Sequence, residues 1–291
     1  MKRFRAVLAI FSALLCLFVI FSTAKVRGEE AVELPIVMYH HLSRQQNRCN
    51  AYVLPVSQFE KDIQYLSEQG YQSVTVSDLL AWQEGESLPE KPVMITFDDG
   101  FESTLAYAAP ILEKYGMRGV VSIIGSVVQT YTDSPDHNLA YSYLNWEEVE
   151  KIAQSGPFEV QCHTWDLHGL SGRTGCNQRK GEDEASYKAM LRRDLTKFQE
   201  TYAAHTGQKT TALALPYGAG NENTRSVAKE LGFRAVFTCE ERVNRLTGKE
   251  DELLRLGRFN RPTGESSAAF LQHIIRTQTA KEKRRPKPPG K

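Results

Sequence analysis

Short, almost wholly apolar runs alternate with longer amphipathic ones through most of this chain, and few folds accept that alternation. Residues 34–39 (LPIVMY), 72–76, 93–97 (VMITF), 119–124 (GVVSII), 158–162 (FEVQC), 211–215 (TALAL) and 235–239 read as seven strands. Between them lie helix signals. Ser57-Gln58-Phe59-Glu60 reads as a capping box with Gly70 where that helix should stop. Asn145 opens another, residues 187–202 form the longest, and residues 223–231 stop at Gly232. Seven strand-helix units predict an α/β fold of the distorted (β/α)7-barrel type, closed or nearly so. An open doubly wound sheet is less favoured, and the absence of GxGxxG after the first strand speaks against a dinucleotide. Residues 126–144 and 164–183 are too long for simple connections and read as functional loops.

The two ends differ from this body. Residues 6–24 are nearly unbroken apolar sequence behind Lys2, Arg3 and Arg5, long enough to cross a bilayer. They predict export, either as a cleaved signal ending at the small residues Ser22-Thr23-Ala24 or as a retained membrane anchor. The last eleven residues, KEKRRPKPPGK, are basic, Pro-rich and without apolar periodicity, so 279–291 reads as a tail. The expected organisation is therefore 1–24 signal or anchor, 25–33 linker, 34–278 folded domain, 279–291 tail. The net charge of +1 divides into +3 for the first 24 residues, +5 for the last eleven and −7 for the segment between. A body of that sign is a poor partner for nucleic acid. An exported chain can form disulfides, and Cys49, Cys162, Cys176 and Cys239 allow three complete pairings; no CxxC suggests a thiolate zinc site.

In such a barrel chemistry collects where strands end. After VMITF comes Asp98-Asp99-Gly100; after FEVQC comes His163, with His168 five residues on; after TALAL comes Pro216-Tyr217-Gly218; after LPIVMY come His40 and His41. Alone, Asp98-Asp99-Gly100 reads equally well as a strand-ending turn, and a lone HxxxxH as an accident of a loop. Together at one end of one sheet, an Asp and two imidazoles can hold a divalent metal with positions open for water. Adjacent carboxylates at a strand end point differently, so one can bind metal while the other takes a proton.

Thr96–Gly100 (TFDDG), the histidine pair and Leu215-Pro216-Tyr217-Gly218 resemble the polysaccharide deacetylases of carbohydrate esterase family 4. The resemblance spans about residues 34–275. It implies that Asp98 is the general base, that Asp99, His163 and His168 are metal ligands, and that the Tyr217 N–H, placed by Pro216, helps bind the oxyanion. Zinc is the default ion, with cobalt, nickel or iron also acceptable to such ligands. The five-residue histidine spacing is similar to the branch acting on exported poly-N-acetylglucosamine in biofilms. Where the family often has an arginine before the third motif, this chain has Ala214, so Arg258 or Arg261 would have to serve unless both are solvated surface. Trp165 is either a sugar platform or packing for its own loop. The departing amine needs an acid; His40 is the expected one, on a first strand that neighbours the last, while His273 lies in a helical pattern and reads as surface. The implied activity is N-deacetylation of an extracellular amino-sugar polymer (poly-N-acetylglucosamine, chitin-like glycan or peptidoglycan). O-deacetylation of a xylan-type glycan and non-catalytic glycan binding are the alternatives.

Overall fold

The computed structural model of the chain describes residues 31–169 and 172–274. The apolar segment 1–24, most of the expected linker and the basic tail lie outside the described residues. Among the latter, no helix is long and apolar enough to cross a membrane.

The body is a curled parallel sheet with helices outside it. Its strands are β1 (Ile36–Tyr39), β2 (Gln72–Ser73), β3 (Pro92–Phe97), β4 (Gly119–Ile123), β5 (Phe158–Cys162), β6 (Ala212–Ala214), β7 (Ala235–Phe237) and β8 (Phe259–Asn260). Their order is β7-β6-β5-β4-β3-β1-β8, with β2 added on β3. All seven expected strands form, some shorter than expected. The eighth, β8, lies in the GRFNRP segment read as possible surface. It pairs with β1 through Phe259↔Val37 and Asn260↔Met38. Just before it, Leu256 bridges to Phe237 of β7, so residues 256–260 bond to both sheet edges and bring the barrel near closure.

Side chains alternate along each strand, as a pleated sheet covered on both faces requires. Val37, Tyr39, Ile95, Phe97, Val121 and Leu213 pack outward with the helices, while Ile36, Met94, Val120, Ala212 and Ala214 form a second cluster on the other face. The inward series in β3 runs Met94, Thr96 and then Asp98; in β1 it runs Ile36, Met38 and then His40. Register pairs Tyr39 with Phe97. The inward residues after these two strands therefore emerge side by side at the same rim.

Helix Trp146–Gln154 starts at Asn145 with Glu148 completing the capping box, as expected. Helix Glu184–Thr206 ends on Gly207 in the left-handed region, and Glu222–Glu230 ends before Gly232. Two helix readings change. Helix Val56–Glu68 begins after Pro55 with no side-chain cap, so Ser57 and Glu60 form no capping box; Thr75 and Asp78 make one instead for Val76–Gln83. The stretch 126–144 is not all loop, because Gly125–Asp133 is helical. At the linker, Val32 and Glu33 already belong to a strand, Val32–Leu34, antiparallel to Asn244–Leu246, so the folded body begins before residue 34.

Candidate active site

Asp98 leaves β3 pointing into the barrel, while Asp99 and Gly100 turn back with φ of 73° and 81°. Two left-handed residues in succession send the adjacent carboxylates to different partners; a non-glycine residue held there stores strain, a cost tolerated at functional sites. Gly100 has a second constraint: a Cβ on it would meet the Ile123 side chain at 2.9 Å.

Asp98 meets Arg258. The guanidinium donates from Nη1 to Oδ1 and from Nη2 to Oδ2, both at 2.7 Å, and from Nε to the Thr238 carbonyl at 3.1 Å. Arg258 is fully buried and Asp98 is 3% exposed. Burial by itself would raise the Asp98 carboxyl; the Arg258 guanidinium, then His163, outweigh it and hold it below the usual carboxylate range. Asp98 is thus ionised and oriented at neutral pH. The reading of Arg258 and Arg261 as solvated surface is overturned, since Arg261 is also buried, paired with Asp62 at 2.8 Å. Gly257 lets the Arg258 segment approach, because a Cβ there would lie 2.4 Å from the Glu240 carbonyl oxygen. Ala214, where the resemblance implied an arginine, lies in the same interior cluster as Phe237, over whose ring the Arg258 guanidinium sits.

Asp99 meets the two histidines. Its Oδ1 lies 3.4 Å from His163 Nε2 and 3.3 Å from His168 Nε2. The turn that makes the long histidine spacing work begins at Thr164, whose φ is 69°. In its neutral form each imidazole carries its hydrogen on Nδ1. His163 Nδ1 faces the Ala214 carbonyl oxygen at 2.9 Å, which only accepts, so Nδ1 carries the hydrogen and Nε2 is bare. The Tyr217 hydroxyl donates to the His168 carbonyl at 2.8 Å and faces His168 Nδ1 at 3.3 Å, so it accepts there and again leaves Nε2 bare. Two imidazole lone pairs thus converge on a buried carboxylate oxygen that has no hydrogen-bond partner. With both rings neutral, three acceptors face one another, an arrangement that fits a divalent cation held by Asp99, His163 and His168.

These groups open into a cleft of about 790 Å³ whose walls include His40, Tyr52, Phe101, Tyr141, Tyr143 and Tyr217. His40 sits at the end of β1 with its ring edge-on to Tyr52, centroids 5.1 Å apart, and its Nδ1 buried without a partner. Burial lowers its pKa, against the opposing charges of Asp98 and Asp99. His41 turns instead to Ser103, Nδ1 to Oγ 2.9 Å. Pro216 is buried, and Tyr217 follows it with φ of 59°, 46% exposed on the cleft wall. His273, on a helical stretch, is exposed and absent from the cleft. Trp165 is not among the residues lining this cleft, which favours packing over a sugar platform, the two readings of it given above. Its ring fills the space a Cβ on Gly125 would need, 2.5 Å away, and carries the Lys197 ammonium 4.1 Å above it. The four cysteines 49, 162, 176 and 239 are all free. The aromatic walls were missed in the sequence, and Arg258 was read there as one of two candidate replacement cations or as solvated surface; a Gly-Arg-Phe run beside an apolar Leu-Leu-Arg-Leu was the one local signal for its burial.

Comparison with known proteins agrees with this geometry. Residues 85–236 match the family model for polysaccharide deacetylase. YxkH of Bacillus subtilis is 28% identical over 87% of this chain and 80% of its own length. The poly-β-1,6-N-acetyl-D-glucosamine N-deacetylase of Escherichia coli K12 is 29% identical over 76% of this chain, which spans only 35% of that protein. Among solved structures, IcaB from Ammonifex degensii superposes with a TM-score of 0.67 at 25% identity, covering 86% of this chain and 98% of that one. His40 and Arg258 both lie outside the matched span and reach the site through β1 and β8, the two strands that complete the barrel. By sequence and by fold, the chain belongs to the polysaccharide deacetylase family, and it is a hydrolase.

Proposed function

We propose that the chain removes N-acetyl groups from poly-N-acetylglucosamine or a closely related amino-sugar polymer outside the cell, with a divalent metal as cofactor. The observation that carries this reading is the division of labour between the two adjacent acids: Arg258 holds Asp98 ionised, while Asp99 faces two bare imidazole nitrogens. A divalent ion, when bound by Asp99, His163 and His168, supplies Lewis acidity that polarises the acetamide carbonyl and acidifies water. Zinc is the expected ion for that donor set.

The remaining chemistry belongs to the chain. Asp98, oriented by two hydrogen bonds, takes the proton of the attacking water. Tyr217 offers its backbone N–H to the developing oxyanion, with Pro216 and the Tyr217–His168 hydrogen bond fixing the turn. His40 gives a proton to the departing amine; its burial makes the imidazolium a stronger acid. The aromatic walls exclude water and stack on pyranose C–H faces. The substrate class rests on the name of the E. coli relative. Export rests on the apolar run 6–24 behind three basic residues.

The test is acetate release from β-1,6-linked and β-1,4-linked N-acetylglucosamine oligomers and from acetylated xylan, with metal-loaded and chelator-treated protein. Metal-dependent release, fastest on the β-1,6 oligomers, is expected. Release from xylan alone would overturn the substrate assignment, and full activity after chelation would overturn the metal.

A further inference from the structure

A second group of metal-type donors lies outside the cleft chemistry just described. Glu102 follows the Asp99 turn by three residues, His137 comes from the loop 134–145, and Glu148 sits in the first turn of helix Trp146–Gln154. Their donor atoms all lie within 4.8 Å of one another. Glu102 is 8% exposed; its Oε1 meets His137 Nδ1 at 2.8 Å, while its Oε2 is buried and has no hydrogen-bond partner. Glu148 Oε2 accepts from the Asn145 N–H at 3.0 Å. Burial, and then the nearby charge of Glu102, push its carboxyl up, the sign of two acids facing each other in a half-buried place. A His137–Glu102 ion pair alone leaves the second Glu102 oxygen orphaned and the Glu148 charge opposed. Each is a cost that one added cation removes.

We propose that Glu102, His137 and Glu148 form a second divalent-cation site, of zinc type and structural in role. One imidazole nitrogen with carboxylate oxygens favours a borderline ion such as zinc over calcium or magnesium, which take all-oxygen shells. The three donors come from three segments that otherwise meet through few bonds: the Glu102 N–H to the Ser142 carbonyl at 2.9 Å, the Leu144 N–H to the Gly100 carbonyl at 2.9 Å, and the Phe101–Tyr143 bridge. An ion bound here clips the wall that carries Tyr141 and Tyr143 to the segment leaving Asp99. It thereby sets the width of the glycan cleft without touching the reacting atoms.

The test is metal stoichiometry, which needs no substrate. Metal-stripped full chain is dialysed against zinc and the bound metal counted by atomic emission. Two equivalents are expected for the intact chain, one for His137→Ala and one for Asp99→Ala. The His137 side chain is 60% exposed, so its removal leaves the fold intact; Glu102→Gln, which keeps the side-chain shape, should lose the same equivalent. Added zinc should raise the melting temperature of Asp99→Ala and leave that of Asp99→Ala/His137→Ala unchanged. A single equivalent on the intact chain, or two retained by His137→Ala, overturns the proposal.

Discussion

Replacing Arg258 by Met tests the electrostatic core of the site. The substitution removes two charge-assisted hydrogen bonds of 2.7 Å from a carboxylate that is 3% exposed, while a side chain of similar length keeps the volume filled. Bonds of that kind contribute about 1.5–3 kcal/mol each. Breaking a buried pair from one side costs about 3–5 kcal/mol, because the surviving charge is left uncompensated. The first route gives about 3–6 kcal/mol and the second about 3–5 kcal/mol, so a loss of about 3–5 kcal/mol in unfolding free energy is expected at neutral pH, measured by urea denaturation. The loss should depend on pH with a definite sign. In the intact chain the Asp98 carboxyl is lowered, so its contribution is present above about pH 4 and is lost as pH falls through its folded value. In Arg258→Met burial is opposed only by the weaker effects of His163 and His40, so the same carboxyl rises relative to the intact chain and the variant's penalty appears as pH rises through that higher value. The stability gap should therefore narrow toward acid. In kinetics, the acid limb of kcat/KM should move to higher pH, tenfold in rate on that limb for each unit. Adding Asp98→Asn should restore most of the stability and none of the turnover. A gap below about 1 kcal/mol, or one that does not change with pH, would refute the idea that Arg258 keeps Asp98 charged.

Further outcomes follow from the other groups. Asp98→Asn should keep the metal and lose turnover by about 10²-fold or more, whereas Asp99→Ala should lose that metal, both read by metal analysis beside acetate release; equal metal loss in the two would reverse the assignment of roles. His40→Ala should bind metal normally and cut N-deacetylation by about 10²-fold or more, with esters of good leaving groups hurt much less. If His273→Ala shows that pattern instead, the acid has been misplaced. Trp165→Ala should destabilise the fold by about 3 kcal/mol and leave glycan affinity unchanged, since its ring packs on Gly125 rather than on the cleft; weakened glycan binding at normal stability would restore it as a platform.

The sequence alone determined the strand-helix rhythm and the chemistry at the strand ends. Apolar periodicity and turn residues are local properties, so seven of the eight sheet strands and the Asn145 cap were legible in it. So was the convergence of Asp99, His163 and His168, because the C-terminal ends of parallel strands share one rim. The limits of the reading were set by contacts distant in the chain. Strand β8 is only two residues long and lies between Arg258 and Arg261, so it has no hydrophobic pattern of its own; it exists because β1 and β7 leave bonding edges for residues 256–260. Arg258 looks like surface in sequence and is buried because Asp98, 160 residues earlier, compensates its charge. Arg261 and Asp62 repeat the same dependence across 199 residues. Trp165 stands next to a metal-ligand motif yet faces away, because a left-handed Thr164 and the room at Gly125 draw its ring toward Phe198. Residue type and order fix which chemistry a rim can hold, while burial of a charge or a ring is decided by partners that only the folded chain brings within reach.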